Sequence, residues 1–204
     1  MKSFPGRNVI IPGNEPYLLI MKRFFQHLYA KSIYWPSYVY NWTMIRRLKW
    51  WRWYDEIEEH VFVGAVPSRK MAVDLAESGI KGVINTCHEY EGPLDIYKQH
   101  GVEQLYLPTV DFTPPSVEDI DEGVRFIERF VAEDKDVYVH CKAGRARSAT
   151  IVLCWLMKAK GMTPEQAQVF LLEKRRQVLS TLYRRPVVQE YYRQLQDMAK
   201  TSGS

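Results

Sequence analysis

The sequence predicts an α/β fold, with a central, mainly parallel sheet of four to five strands flanked by helices. Three observations lead there. Short apolar β-branched runs alternate with helix-length amphipathic stretches from Val61 onward. The run Asp136-Val137-Tyr138-Val139-His140 is apolar on successive residues, the pattern of a strand covered on both faces. Helix starts and stops are written between the strands as caps, prolines and glycines.

In chain order, Val61-Phe62-Val63 reads as a strand, and Pro67 to Ser78 as a helix stopped by Gly79. Gly82-Val83-Ile84-Asn85-Thr86 and Glu103 to Leu107 are further strands. Ser116 caps a helix running to about Val131, and the strand Asp136–His140 follows it. Ala149 to Lys160 is a helix, apolar on most faces, that ends at Gly161. Thr163-Pro164-Glu165-Gln166 is a capping box with proline at the first helical position. A last helix follows Pro186.

The 204 residues suit one main domain. With 46% hydrophobic and 25% charged residues the chain is globular in composition, and neither disordered nor fibrous. The organisation expected is a flexible lead-in and basic, Trp-rich extension over 1–52, a main domain over 53–200 and a tail over 201–204. Three cysteines are too few for a disulfide scaffold, so reduced thiols are expected.

Charge is concentrated. Up to Asp55 there are nine Lys/Arg against two acids, while the remainder carries 19 bases against 22 acids, so the net +4 arises in the N-terminal quarter. Five of the six tryptophans lie in the same segment. Tryptophan beside Arg and Lys suits a lipid headgroup layer; the alternative is that these aromatics cap the core of the following domain. No stretch of eighteen uncharged apolar residues occurs, so no transmembrane helix is expected.

The stretch that carries chemistry is Val139-His140-Cys141-Lys142-Ala143-Gly144-Arg145-Ala146-Arg147-Ser148. It leaves a strand, turns at a glycine and enters a helix, so loop amides and the helix N-terminus converge on one anion-binding spot. A cysteine there should ionise well below the free value of about 8.5. Arg147, six positions on, can offer planar donors to two oxygens of a phosphoryl group. An oxygen leaving group also needs a proton. Asp111, in the loop Val110-Asp111-Phe112-Thr113-Pro114, is the candidate acid; Glu118 and Asp119 are its rivals.

Cys-x5-Arg preceded by His and followed by Ser resembles the signature of the dual-specificity-type cysteine phosphatases. The string His-Cys-Lys-Ala-Gly-Arg-Ala-Arg-Ser-Ala-Thr is most similar to the mitochondrial members that act as phosphatidylglycerophosphate phosphatases. The resemblance implies a cysteine-phosphatase fold, with Cys141, Arg147 and Asp111 as catalytic residues. It implies phosphate or substrate contacts from His140, Lys142, Ala143, Gly144, Arg145, Ala146 and Ser148. Ser148 would bond the sulfur, and His140 would order the loop through its ring nitrogens. His88-Glu89-Tyr90-Glu91 resembles the Glu-Glu-Tyr-Glu motif of the same subgroup, with histidine in the first place. Glu89, Tyr90 and Glu91 are carried over as site-lining residues, and Arg185-Pro186 also resembles a pair of this subgroup.

Lys142 and Arg145 add cations suited to an anionic lipid or inositol phosphate, the alternative being solvated surface charges. The partners expected are an anionic phospholipid and, through the N-terminal segment, a membrane surface; nucleic acid is not, and the chain is expected as a monomer. The resemblance and the acid-poor N-terminus place it peripherally on the mitochondrial inner membrane if eukaryotic, and otherwise on an intracellular membrane face. No cofactor is expected, and the five histidines show no metal-ligand spacing. The rival activities are a dual-specificity protein phosphatase, a phosphoinositide phosphatase and a silent phosphate-reading module. If the strands ending at Thr86 and His140 are parallel neighbours, Cys87 can approach Cys141 and form a reversible disulfide. The alternative is that Cys87 is a small apolar strand-end residue.

Overall fold

The computed structural model describes residues 52–202 together with Val39. The lead-in, nearly all of the basic Trp-rich extension and the last two residues lie outside the described residues.

Five strands form one sheet in the order β1-β2-β5-β3-β4: β1 (Tyr54–Glu58), β2 (Val61–Ala65), β3 (Ile80–Cys87), β4 (Glu103–Thr109) and β5 (Asp136–Cys141). β1 runs antiparallel to β2 at one edge; the remaining pairings are parallel. The expected mainly parallel α/β sheet is therefore present. β1 was not anticipated, because its inward positions are Asp55 and Ile57 and only the second of these looks like a core residue.

Helices α1 (Arg69–Glu77) and α2 (Leu94–Gln99) cover one face. Helices α3 (Val117–Ala132), α4 (Arg147–Lys160), α5 (Pro164–Lys174) and α6 (Pro186–Ser202) gather on the other, with a short 3₁₀ turn at Leu182–Arg184 before α6. Period-two alternation divides the strands between two cores. Val137 and Val139 of β5 and Ile84 of β3 face the larger core, whereas Tyr138 and Val83 face the smaller one under α1 and α2. β5 is thus covered on both sides.

The caps are where the sequence placed them. Ser116 and Asp119 form a reciprocal capping box, as do Thr163 and Gln166 with Pro164 at the first position. Gly161 ends α4 in the left-handed conformation. The parallel strands β3, β4 and β5 finish together at Cys87, Thr109 and Cys141, and that carboxyl edge is where an open α/β sheet binds ligands.

Candidate active site

β5 delivers Cys141 to the sheet edge, the chain turns through 142–146, and α4 begins at Arg147. Gly144 makes the turn at φ +63, and a Cβ there would sit 2.5 Å from the carbonyl carbon and oxygen of Gly64. Glycine is required on both counts. The outer side of the loop is held by Arg175, whose Nε donates to the Gly144 carbonyl at 2.8 Å and whose Nη2 donates to the Ala143 carbonyl at 3.2 Å. With those carbonyls turned outward, loop amides remain for the inside. Arg175 is fully buried and pairs with Asp55 at 2.6 Å, which gives the inward acid of β1 its reason. Neither residue carried a motif; the only signal was an acid and a base in otherwise apolar surroundings.

Cys141 is itself buried. Burial alone would push its thiol up. The Arg147 charge, the Ser148 hydroxyl donating to Sγ at 3.3 Å, and the amides of Ser148 and Ala143 outweigh it and bring the group down to about 7. Cys141 is therefore about half thiolate at pH 7. His140 behaves differently. Burial, then the Arg147 charge, pulls it down to about 3 against a smaller opposing effect of the Cys141 backbone carbonyl, so the ring is neutral. Neither ring nitrogen meets a hydrogen-bond partner among the described residues. The ring's link to the loop is this weaker interaction with the Cys141 backbone, and residue 140 is also tied down by its own backbone, where Thr86 Oγ1 donates to the carbonyl at 2.9 Å.

Arg147 crosses the mouth of the loop. Its Nη1 donates to Glu89 Oε2 at 3.0 Å and to the Thr109 carbonyl at 2.8 Å, and its Nη2 donates to Glu89 Oε1 at 3.0 Å. The Nη1/Nη2 fork is thus taken by Glu89. The planar edge left for a ligand is Nε with the second Nη2 proton, and Nη2 is ion-paired with Asp111 Oδ1 at 3.0 Å. Lys142 Nζ donates to Asp111 Oδ2 at 2.6 Å and stands 3.8 Å from Glu89. The Asp111 carboxylate therefore rests on two buried cations, in a position that a phosphoryl oxygen would also favour. A turn in which Thr113 donates twice to the Val110 carbonyl presents it there. Asp119 is engaged in the α3 capping box and Glu118 is exposed, so Asp111 is the acid brought to Cys141.

Residues 61–194 match the family described as "Dual specificity phosphatase, catalytic domain". The chain belongs to this dual specificity phosphatase family. Among curated relatives of this phosphatase, the Arabidopsis thaliana protein "Phosphatidylglycerophosphate phosphatase PTPMT1" is 36% identical over 187 residues, covering 90% of this chain and 56% of that protein. The chain thus spans little more than half the length of that relative. The Homo sapiens "Phosphatidylglycerophosphatase and protein-tyrosine phosphatase 1" is 33% identical, over 86% of this chain and 92% of that protein. The solved structure "Crystal Structure of PTPMT1 in complex with PI(5)P" superimposes with a TM-score of 0.66 at 34% identity, over 72% of this chain and 99% of that one.

The fold of this phosphatase brings Cys141, Lys142, Arg147, Ser148, Asp111 and Glu89 into one cluster. Glu89 enters it as the partner of Arg147, with its side chain only 3% exposed. Tyr90 and Glu91, expected to line the site, give their backbone carbonyls to Asn85 and Gln104, and the Tyr90 phenol lies near Arg69 and Tyr97. The Arg145 guanidinium donates from Nε to the Gln177 carbonyl at 2.9 Å, outside the cluster. Ala143, Gly144 and Ala146 supply the loop backbone. Cys87 sits fully buried at the end of β3 as a free thiol, pushed up by burial, against the lowering effect of Arg147.

Proposed function

We propose that this phosphatase hydrolyses the phosphomonoester of an anionic phospholipid, with phosphatidylglycerophosphate as the substrate, through a cysteinyl-phosphate intermediate that needs no metal. The observation that carries this reading is the burial of Lys142, 4% exposed, beside Arg147 in the loop. Two buried cations facing one spot suit a ligand of high negative charge better than a singly substituted aryl phosphate on a neutral peptide. The names of the Arabidopsis and human relatives agree with it.

In the first step the Cys141 thiolate attacks phosphorus in line. The S–P bond forms as the P–O ester bond breaks, and Asp111 passes its proton to the departing alkoxide. Loop amides and the Nε edge of Arg147 hold the equatorial oxygens while charge spreads over them. In the second step Asp111 takes a proton from water, the resulting hydroxide attacks phosphorus, and the S–P bond breaks. The Ser148 hydroxyl, 3.3 Å from Sγ, receives the returning thiolate. For the cycle to start, substrate oxygens must displace Asp111 from Arg147 while keeping it near the leaving group.

The basic, Trp-rich residues 1–52 are the proposed membrane contact, and a peripheral position on the inner mitochondrial membrane in a eukaryote is proposed with it, supported by the resemblance to mitochondrial members. No helix among the described residues is long and apolar enough to cross a membrane. The main domain is proposed to span 53–200, acting as a monomer. A phosphoprotein activity is the second reading, favoured by the human relative's name. Turnover of phosphatidylglycerophosphate in vesicles is compared with that of phosphotyrosyl and phosphothreonyl peptides, with and without residues 1–50. The lipid reading requires a kcat/KM at least tenfold higher on vesicles; a preference of that size for peptides overturns it.

A further inference from the structure

Arg185 stands against the first turn of α4, directly behind the catalytic loop. Its Nη1 donates to Thr150 Oγ1 at 3.0 Å, and Thr150 Oγ1 donates in turn to the carbonyl of Ala146, the last loop residue, at 2.7 Å. The 3₁₀ turn and Pro186 place it there: the Arg185 amide closes on the Leu182 carbonyl, and its own carbonyl starts α6 by accepting from Val188 and Gln189. The side chain is half-buried, and no carboxylate lies within ion-pairing distance of it among the described residues.

This placement is unfavourable by itself. A cation at the N-terminal turn of a helix faces the positive end of the helix dipole, and a guanidinium drawn out of water without a counter-ion costs several kcal/mol on the usual scale. Some negative charge must offset both. Among the described residues the Cys141 thiolate acts in its favour, strengthening its hold on its proton against the larger, opposite effect of burial.

We propose that Arg185 is a positioning residue of the catalytic loop, anchoring Ala146 through Thr150 and holding Cys141 in its ionised form from behind while Arg147 does so from in front. The other groups that face Cys141 are Ser148 on α4, Arg175 at the end of α5, Cys87 on β3, and Tyr138 and the neutral His140 on β5. Lys142, Asp111 and Glu89 complete the cluster around Arg147. Of the cations among them, Arg175 is matched by Asp55, and Arg147 and Lys142 by Glu89 and Asp111. Arg185 has no such carboxylate among the described residues. The inference rests on Cys141 being the nucleophile and is independent of which phosphate ester is cleaved.

The test follows Cys141 alkylation by iodoacetate against pH, located by peptide mapping, together with the acid limb of kcat/KM on a soluble aryl phosphate. Arg185→Met should move both profiles upward by about half a pH unit to one unit, as expected for a partly screened charge, while Arg185→Lys restores most of the shift. Unmoved profiles in a folded Arg185→Met protein would make Arg185 a packing residue and overturn the proposal. If that variant does not fold, Thr150→Val, which keeps the arginine but removes its anchor, should give a smaller upward shift, and no shift would again refute it. Alkylation reports on Cys141 whether or not it is the nucleophile. Retained turnover in Cys141→Ser would therefore overturn the mechanism, a result separate from the failure of this inference.

Discussion

Asp55 and Arg175 meet at 2.6 Å in a buried ion pair that joins the first strand of the sheet to the outer side of the catalytic loop. The same guanidinium reaches the carbonyls of Arg52 and Trp53 at 3.4 Å, so the start of the described chain and the loop share one side chain. Removing one partner of such a pair leaves the other buried and uncompensated. Asp55→Ala is expected to destabilise the fold by about 3–5 kcal/mol in urea denaturation. A loss below about 1 kcal/mol would mean the loop carbonyls alone satisfy Arg175.

The pH dependence of catalysis follows from Cys141. Its folded-state value, about 7, lies below the free thiol value of about 8.5, so the reactive thiolate is lost as pH falls through 7. The acid limb of kcat/KM on a soluble aryl phosphate should therefore centre near 7. Ser148→Ala, which removes a hydrogen bond to the sulfur, should raise it by about half a unit to one unit.

His140 predicts a stability effect of definite sign. Its folded-state value of about 3 lies far below the ordinary 6.5, so between these pH values the unfolded chain binds a proton that the folded one refuses. Stability present above 6.5 is lost as pH falls toward 3, at up to about 1.4 kcal/mol per pH unit from this residue. Urea midpoints at pH 7.5 and 5.0 should diverge less in His140→Asn than in the wild type. Equal divergence would assign acid sensitivity to other groups.

Much of this architecture was legible in the residues, for physical reasons that also mark where legibility ended. Strand β5 and helix α4 carry apolar runs long enough to declare themselves, and the loop between them has a residue pattern tied to its chemistry. Contacts made by lone polar residues at long range were not legible. Asp55 looks like a surface acid until Arg175, 120 residues on, supplies its partner. The partner of Glu89 is not visible until the turn after β3 brings it against Arg147. Lys142 and Arg145, alike in sequence, part company because Asp111 lies within reach of one and the Gln177 carbonyl within reach of the other.

Asp111 makes a prediction that depends on the leaving group. Asp111→Asn should lower kcat on an alkyl phosphate by about 10²-fold or more, as for a lost general acid, and much less on an aryl phosphate whose phenolate leaves unaided. Equal losses on both would mean that the carboxylate acts through its contacts to Lys142 and Arg147 and not through its proton.

The covalent intermediate offers the most direct measurement. Rapid-quench mass spectrometry of Asp111→Asn reacting with an aryl phosphate should find phosphate on the peptide carrying Cys141, formed at the rate of the phenol burst and absent in the additional Cys141→Ser variant. A burst of phenol with no adduct on Cys141, or with phosphate on another residue, would contradict the account.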